Sequence, residues 1–136
     1  MLNSLAHVEI NVADLQKTKD FYDIFLSPIW RKGFAIDEDV IGYKALDKTH
    51  IFFVKTDQEY AMHGFHRKRV WLNHLAFRVE TKQQVDDIAH YLEKHEIPLL
   101  YVDRSKDYAD EYDMEEYYAI FCEDPDRIKV EIVYCK

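Results

Sequence analysis

Long apolar runs are what this sequence most clearly lacks. No stretch approaches the roughly 20 residues that a membrane-spanning helix needs, and the N-terminus has no charged, apolar and small-residue succession of the secretory type. A cytoplasmic protein is the expectation. Cysteine is scarce as well: Cys122 and Cys135 are the only two, they form no CxxC pair, and a disulfide framework is excluded. Positive charge is in deficit. With 18 Lys and Arg against 26 Asp and Glu, the net charge of −8 argues against nucleic acid, which requires a basic surface, and against an anionic membrane.

What is present is enough apolar and aromatic material for a real core. Hydrophobic residues make up 48% of the 136, which rules out wholesale disorder and fits one domain or two half-sized units. The chain is organised around a repeat. Leu5 to Asp14, LAHVEINVAD, is replayed without a gap by Leu72 to Thr81, LNHLAFRVET, at a constant offset that carries His7 onto His74. One small unit used twice is implied.

Both copies alternate apolar and polar residues, the period of a strand. Val8, Ile10 and Val12 therefore oppose His7, Glu9 and Asn11, and Leu75, Phe77 and Val79 oppose His74, Ala76 and Arg78. Asp14 and Thr81 follow as helix N-caps, Thr81 with Gln84 in a capping-box pattern. Leu15, Thr18, Phe21, Tyr22 and Phe25 predict a first helix ending before Pro28, and Val85, Ile88, Ala89 and Leu92 a second. Further β-like runs fall at Ile29–Ile36, Val40–Leu46 and His50–Lys55, then at Leu99–Val102, Tyr117–Cys122 and Ile128–Tyr134. Each half reads strand, helix, strand, strand, strand. The expected organisation is an α+β domain of two tandem βαβββ modules, 1–55 and 70–136, joined by a connector at 56–69, with the sheets curving into a cup. The acidic stretch 103–116 is either a lid or surface decoration.

Alternation in the last strand sets Glu131 on the face that corresponds to His7 and His74. Two imidazoles and one carboxylate on concave polar faces suit a divalent first-row metal with open positions.

The paired units, the segments HVEINVADLQKTKDFY and NHLAFRV, and the ending YYAIFCEDPDRIKVEIV resemble the vicinal oxygen chelate superfamily. That group includes glyoxalase I, fosfomycin-resistance thiol transferases, extradiol dioxygenases and bleomycin-binding proteins. The resemblance implies that His7, His74 and Glu131 are metal ligands for Fe, Mn, Ni or Zn. It places Phe52 at the fourth ligand position, where a phenyl ring cannot coordinate. It implies a small oxygen-bearing substrate that chelates the metal, lyase- or isomerase-like chemistry, and a homodimer. Glu9, on the face of His7, is the candidate base. Arg78 is the candidate anchor for an anionic group, and Phe52, Tyr118 and Phe121, with Tyr117, are candidate pocket residues. The alternatives are an extradiol-type dioxygenase and a metal-free protein that sequesters a small molecule. Arg127 stands where the family's D-P-D-G turn has glycine. His63 and His66 are expected in a solvated loop.

Overall fold

The computed structural model describes residues 5–30, 33–66, 68–101 and 115–136. The described chain divides into two compact units, Met1–Phe65 and His66–Lys136. Each is a βαβββ module.

In the first unit, strand β1 (His7–Val12) leads to helix α1 (Leu15–Phe25), then to β2 (Phe34–Ala35), β3 (Val40–Lys44), β4 (His50–Lys55) and a short helix α2 (Gln58–Ala61). The sheet order is β1-β4-β3-β2, so the last strand lies beside the first and parallel to it. The alternation works as expected. Ile10 and Val12 are buried while His7, Glu9 and Asn11 are exposed. Asp14 caps α1 by accepting the Lys17 N–H, and Thr18, Tyr22 and Phe25 turn inward. Tyr22 packs against Phe25 on the helix and against Tyr43 and Phe53 of the sheet, whose apolar face also buries Ile41 and Ile51.

The second unit repeats this plan with β5 (His74–Arg78), α3 (Lys82–Lys94), β6 (Leu99–Leu100), β7 (Tyr117–Glu123) and β8 (Lys129–Cys135) in the order β5-β8-β7-β6, and β5 again runs parallel to β8. Thr81 and Gln84 close the capping box, and Val85, Ile88, Ala89 and Leu92 are buried. They cover Ile120, Cys122, Val130 and Ile132. No helix among the described residues is long and apolar enough to cross a membrane.

The structure trims two expected strands. Among the described residues of the run Ile29–Ile36, Phe34–Ala35 join the sheet, and the N–H groups of Ile29 and Trp30 are spent on the Leu26 carbonyl, continuing the turn that ends α1. The run from Leu99 stops at Leu100, since Tyr101 takes a left-handed φ of 55°. Arg127 likewise sits at φ 68° where glycine would sit without strain. Buried Asp124 holds that turn by accepting from the N–H groups of Asp126 and Ile128. The expected connector includes α2, and of the acidic stretch 103–116 all but Glu115 and Glu116 lie outside the described residues.

Candidate metal and substrate site

Parallel pairing sets the second unit's polar face. Ala76 lies opposite Glu131 and His74 opposite Lys129, so His74, Arg78 and Glu131 project from the same side of neighbouring strands. They line a cavity of about 250 Å³ with Ala76, Tyr117 and Cys135. Glu131 is 1% exposed and points its two oxygens at different partners: Oε1 accepts the Tyr117 hydroxyl, and Oε2 lies 3.1 Å from His74 Nε2. On the far side of the imidazole, His74 Nδ1 is 2.7 Å from Asn73 Oδ1.

These contacts decide what fits between His74 and Glu131. With the Nδ1 proton donated to Asn73, Nε2 presents a lone pair to a carboxylate oxygen. Two acceptors facing each other at 3.1 Å need a proton or a cation between or beside them. Burial and the nearby Lys129 charge lower the pKa of His74, so the imidazolium is disfavoured. Burial raises the pKa of Glu131, against the lowering effects of the Tyr117 hydrogen bond and Lys129. A divalent cation suits the pair. Ligands bound about 2.1 Å from a metal at right angles are about 3 Å apart, which is the separation seen. Asn73 and Tyr117 stand where outer partners of a metal ligand pair would fix the imidazole's tautomer and the carboxylate's free oxygen. Among the described residues no three His, Cys, Asp or Glu side chains converge on one point.

Tyr117→Phe is therefore expected to weaken divalent-metal affinity by about 10–100-fold, the usual cost of losing such a partner. The fold should persist. Titration with Mn(II), followed by its electron paramagnetic resonance, checks this.

In the first unit the corresponding face carries His7, Glu9 and Phe52, with Glu9 opposite Phe52 in register. Phe52 thus occupies the position that Glu131 holds in the second unit, as the sequence alignment of the halves requires. Its ring meets His7 edge-on at 5.7 Å and stacks on His50 at 5.6 Å. Gly42 makes room for it, since a Cβ there would lie 2.8 Å from the Phe52 ring. The His7 Nε2 to Glu9 Oε1 distance is 3.9 Å and both side chains are largely exposed, so this is a weak solvated pair.

Of the aromatic candidates, Phe121 is on the face of Glu131, directly opposite it in register, and its ring lies 5.0 Å beneath the Lys129 ammonium. Tyr118 is not on that face. It lies an odd number of residues from Phe121, so strand geometry turns it towards α3, where its hydroxyl donates to Asp86 Oδ1 at 2.8 Å. Among the described residues, Tyr117 is the tyrosine that lines the cavity. His66 stays in the loop, its Nδ1 accepting from the Lys68 N–H.

The strand faces also separate the two thiols. Cys122 is 1% exposed and burial pushes its pKa up to about 12, whereas Cys135 lines the cavity. One maleimide should react per native chain, at Cys135, with Cys122 labelled only in denaturant; mass spectrometry of the peptides reads this directly.

Comparison with known proteins places this geometry. The chain is 37% identical over 127 residues to the uncharacterized protein YqjT of Bacillus subtilis, covering 93% of this chain and 95% of that one. It superposes on the crystal structure of a candidate glyoxalase from Bacillus halodurans with a TM-score of 0.81 and 38% identity, over 97% and 96% of the two chains. The chain belongs to the vicinal oxygen chelate superfamily. A glyoxylase/bleomycin resistance protein/dioxygenase domain from Frankia sp. EAN1pec shares the fold of this superfamily member at a TM-score of 0.73, with 18% identity over 100% of both chains. No protein-family model matches the sequence. Members of the superfamily commonly use divalent metals, and the His74–Glu131 pair of this member has the donor types and spacing for one.

Proposed function

We propose that this protein is a divalent-metal-dependent enzyme of lyase or isomerase type, acting on a small oxygen-bearing substrate. His74 and Glu131, with His7, are the proposed ligands. The observation that carries the reading is the facing of His74 Nε2 and Glu131 Oε2 at 3.1 Å, each side chain anchored from behind by an outer partner. Glu131 is costly to bury without a counter-charge, and a structural role would be served better by an apolar residue.

When bound, the metal would polarise a substrate oxygen and stabilise negative charge that develops on it. The chain's own residues supply the rest. Tyr117 holds one Glu131 oxygen so that the other remains available, and Asn73 holds His74 in the tautomer with a free Nε2 lone pair. Phe52 denies the fourth ligand position to the protein, which favours coordination places open to water and substrate. Glu9 is the proposed base, abstracting a proton from the carbon next to a substrate carbonyl. A homodimer is the proposed assembly.

Proton exchange tests this chemistry. The Mn(II)-, Ni(II)- or Zn(II)-loaded protein, incubated in D2O with pyruvate or hydroxyacetone, should exchange the carbon-bound protons next to the carbonyl, followed by NMR. Glu9→Gln should slow exchange by about 10²–10⁴-fold. Oxygen consumption by the iron-loaded protein in place of exchange would overturn the lyase or isomerase reading.

A further inference from the structure

Arg78 is the cavity residue that the reading above leaves without work. Five basic side chains elsewhere have acidic partners: Lys17 with Asp14, Lys19 with Asp23, Lys55 with Asp39, Lys82 with Glu116, and Arg127 with Glu123. Arg78 has none among the described residues, in a chain with a net charge of −8. The carboxylate that shares its cavity is already committed, with one Glu131 oxygen on Tyr117 and the other beside His74.

A second cation stands on the same face. Lys129 lies level with His74 in the strand register, whereas Arg78 lies level with Val133, so the two bracket Glu131 along the sheet. Lys129 makes no ion pair among the described residues and rests over the Phe121 ring. The polar face of this unit thus sets two cations, Arg78 and Lys129, beside Glu131 and Glu123, the latter being paired with Arg127. Cations without acidic partners at the edge of a concave site draw anionic ligands towards it.

The cavity's volume, about 250 Å³, is below the roughly 300–1,000 Å³ typical of drug-sized ligands. A guanidinium offers parallel N–H donors that match the two oxygens of a carboxylate. We propose that the substrate of this site is a small carboxylic acid whose carboxylate is held by Arg78 while its remaining oxygen faces the His74–Glu131 pair. The proposal rests on the site assignment given above and narrows its substrate class to anions. Arg78 acts as the specificity-determining residue, and Lys129 adds attraction at longer range.

Calorimetric titration of the full chain tests the point, on chelator-treated protein and on protein loaded with Zn(II). The probes are pyruvate, glycolate and acetate, with pyruvamide as the uncharged counterpart of pyruvate and inorganic phosphate as the competing oxyanion. Wild type should bind at least one carboxylate at millimolar concentration or below, and prefer pyruvate over pyruvamide by about tenfold or more. Arg78→Gln should abolish that preference while melting at the wild-type temperature, because the side chain is exposed and has no acidic partner to lose among the described residues. Arg78→Lys should keep part of it. Carboxylate binding unchanged in Arg78→Gln, pyruvamide bound as tightly as pyruvate, no carboxylate bound at all, or phosphate preferred to every carboxylate would each overturn the proposal. Zn(II) uptake in the same titrations separates the two claims. Arg78-dependent carboxylate binding without metal uptake would sustain this proposal and sink the metal reading, and the reverse pattern would do the opposite.

Discussion

Glu131→Gln is expected to abolish divalent-metal binding without destabilising the metal-free fold. The amide keeps the carboxylate's shape and can still accept the Tyr117 hydroxyl, but it removes the anionic donor, so the loss should exceed the roughly 10–100-fold associated with an outer-shell partner. Stability moves the other way because Glu131 is buried and its pKa is raised. A carboxyl with a raised folded pKa contributes stability that is fully present below the ordinary carboxylate range and is lost as pH rises through the raised value. His74 has the opposite sign: its lowered pKa gives stability that is present above the ordinary imidazole value and is lost as pH falls through the lowered one. In chelator, the wild type should therefore lose stability as pH rises past the carboxylate range, and Glu131→Gln should lack that decline. Melting curves over a pH series, beside a metal titration of each protein, make the comparison. Metal retained by the variant would remove Glu131 from the ligand set.

The largest stability effect is expected from Phe53→Ala. Phe53 is 0% exposed at the centre of the first unit, with its ring 4.2 Å from that of Tyr22 and 6.1 Å from that of Tyr43. Truncation removes the transfer free energy of a phenyl group and leaves a cavity under α1, together costing about 3–5 kcal/mol. That is a fifth or more of the roughly 5–15 kcal/mol by which domains of this size are stable. Tyr43 limits how far the site can collapse, since its hydroxyl donates to Asp23 Oδ1 at 2.9 Å on the helix. Phe53→Leu should recover part of the loss. Denaturant titration measures both, and a cost below 1 kcal/mol would show that the helix does not depend on this contact as described.

The repeat made most of the fold readable. Alternation in the two opening strands, the caps at Asp14 and Thr81 and the helical spacing after each were enough to set the two βαβββ modules, because local propensity and burial agree at those positions. Ile29 and Trp30 were misleading for a tertiary reason: their apolar, β-prone character says strand, but their N–H groups are captured by the end of α1. At the site, period 2 correctly faced Glu131 with His74. The same period carried an unused signal, since Tyr118 and Phe121 differ by an odd number of residues and cannot share a face. Taking the parity of Phe121 would have selected Tyr117. The hydrogen bonds of Glu131 to Tyr117 and of His74 to Asn73 were beyond pattern reading, because they depend on rotamers and strand register and not on spacing. Nor did the sequence reveal that Arg78 lacks an acidic partner among the described residues, as the surplus of carboxylates made an ion pair the natural expectation.

The central claim is that half-buried His74 and buried Glu131 are paired to hold a divalent metal. Its most direct test is the metal content of wild-type protein purified without chelator under anaerobic conditions, followed by titration of the stripped protein with Mn(II), Fe(II), Ni(II) and Zn(II). The account predicts metal near one equivalent per chain, restored by titration after stripping. Protein that is empty as purified and takes up none of the four ions would contradict it.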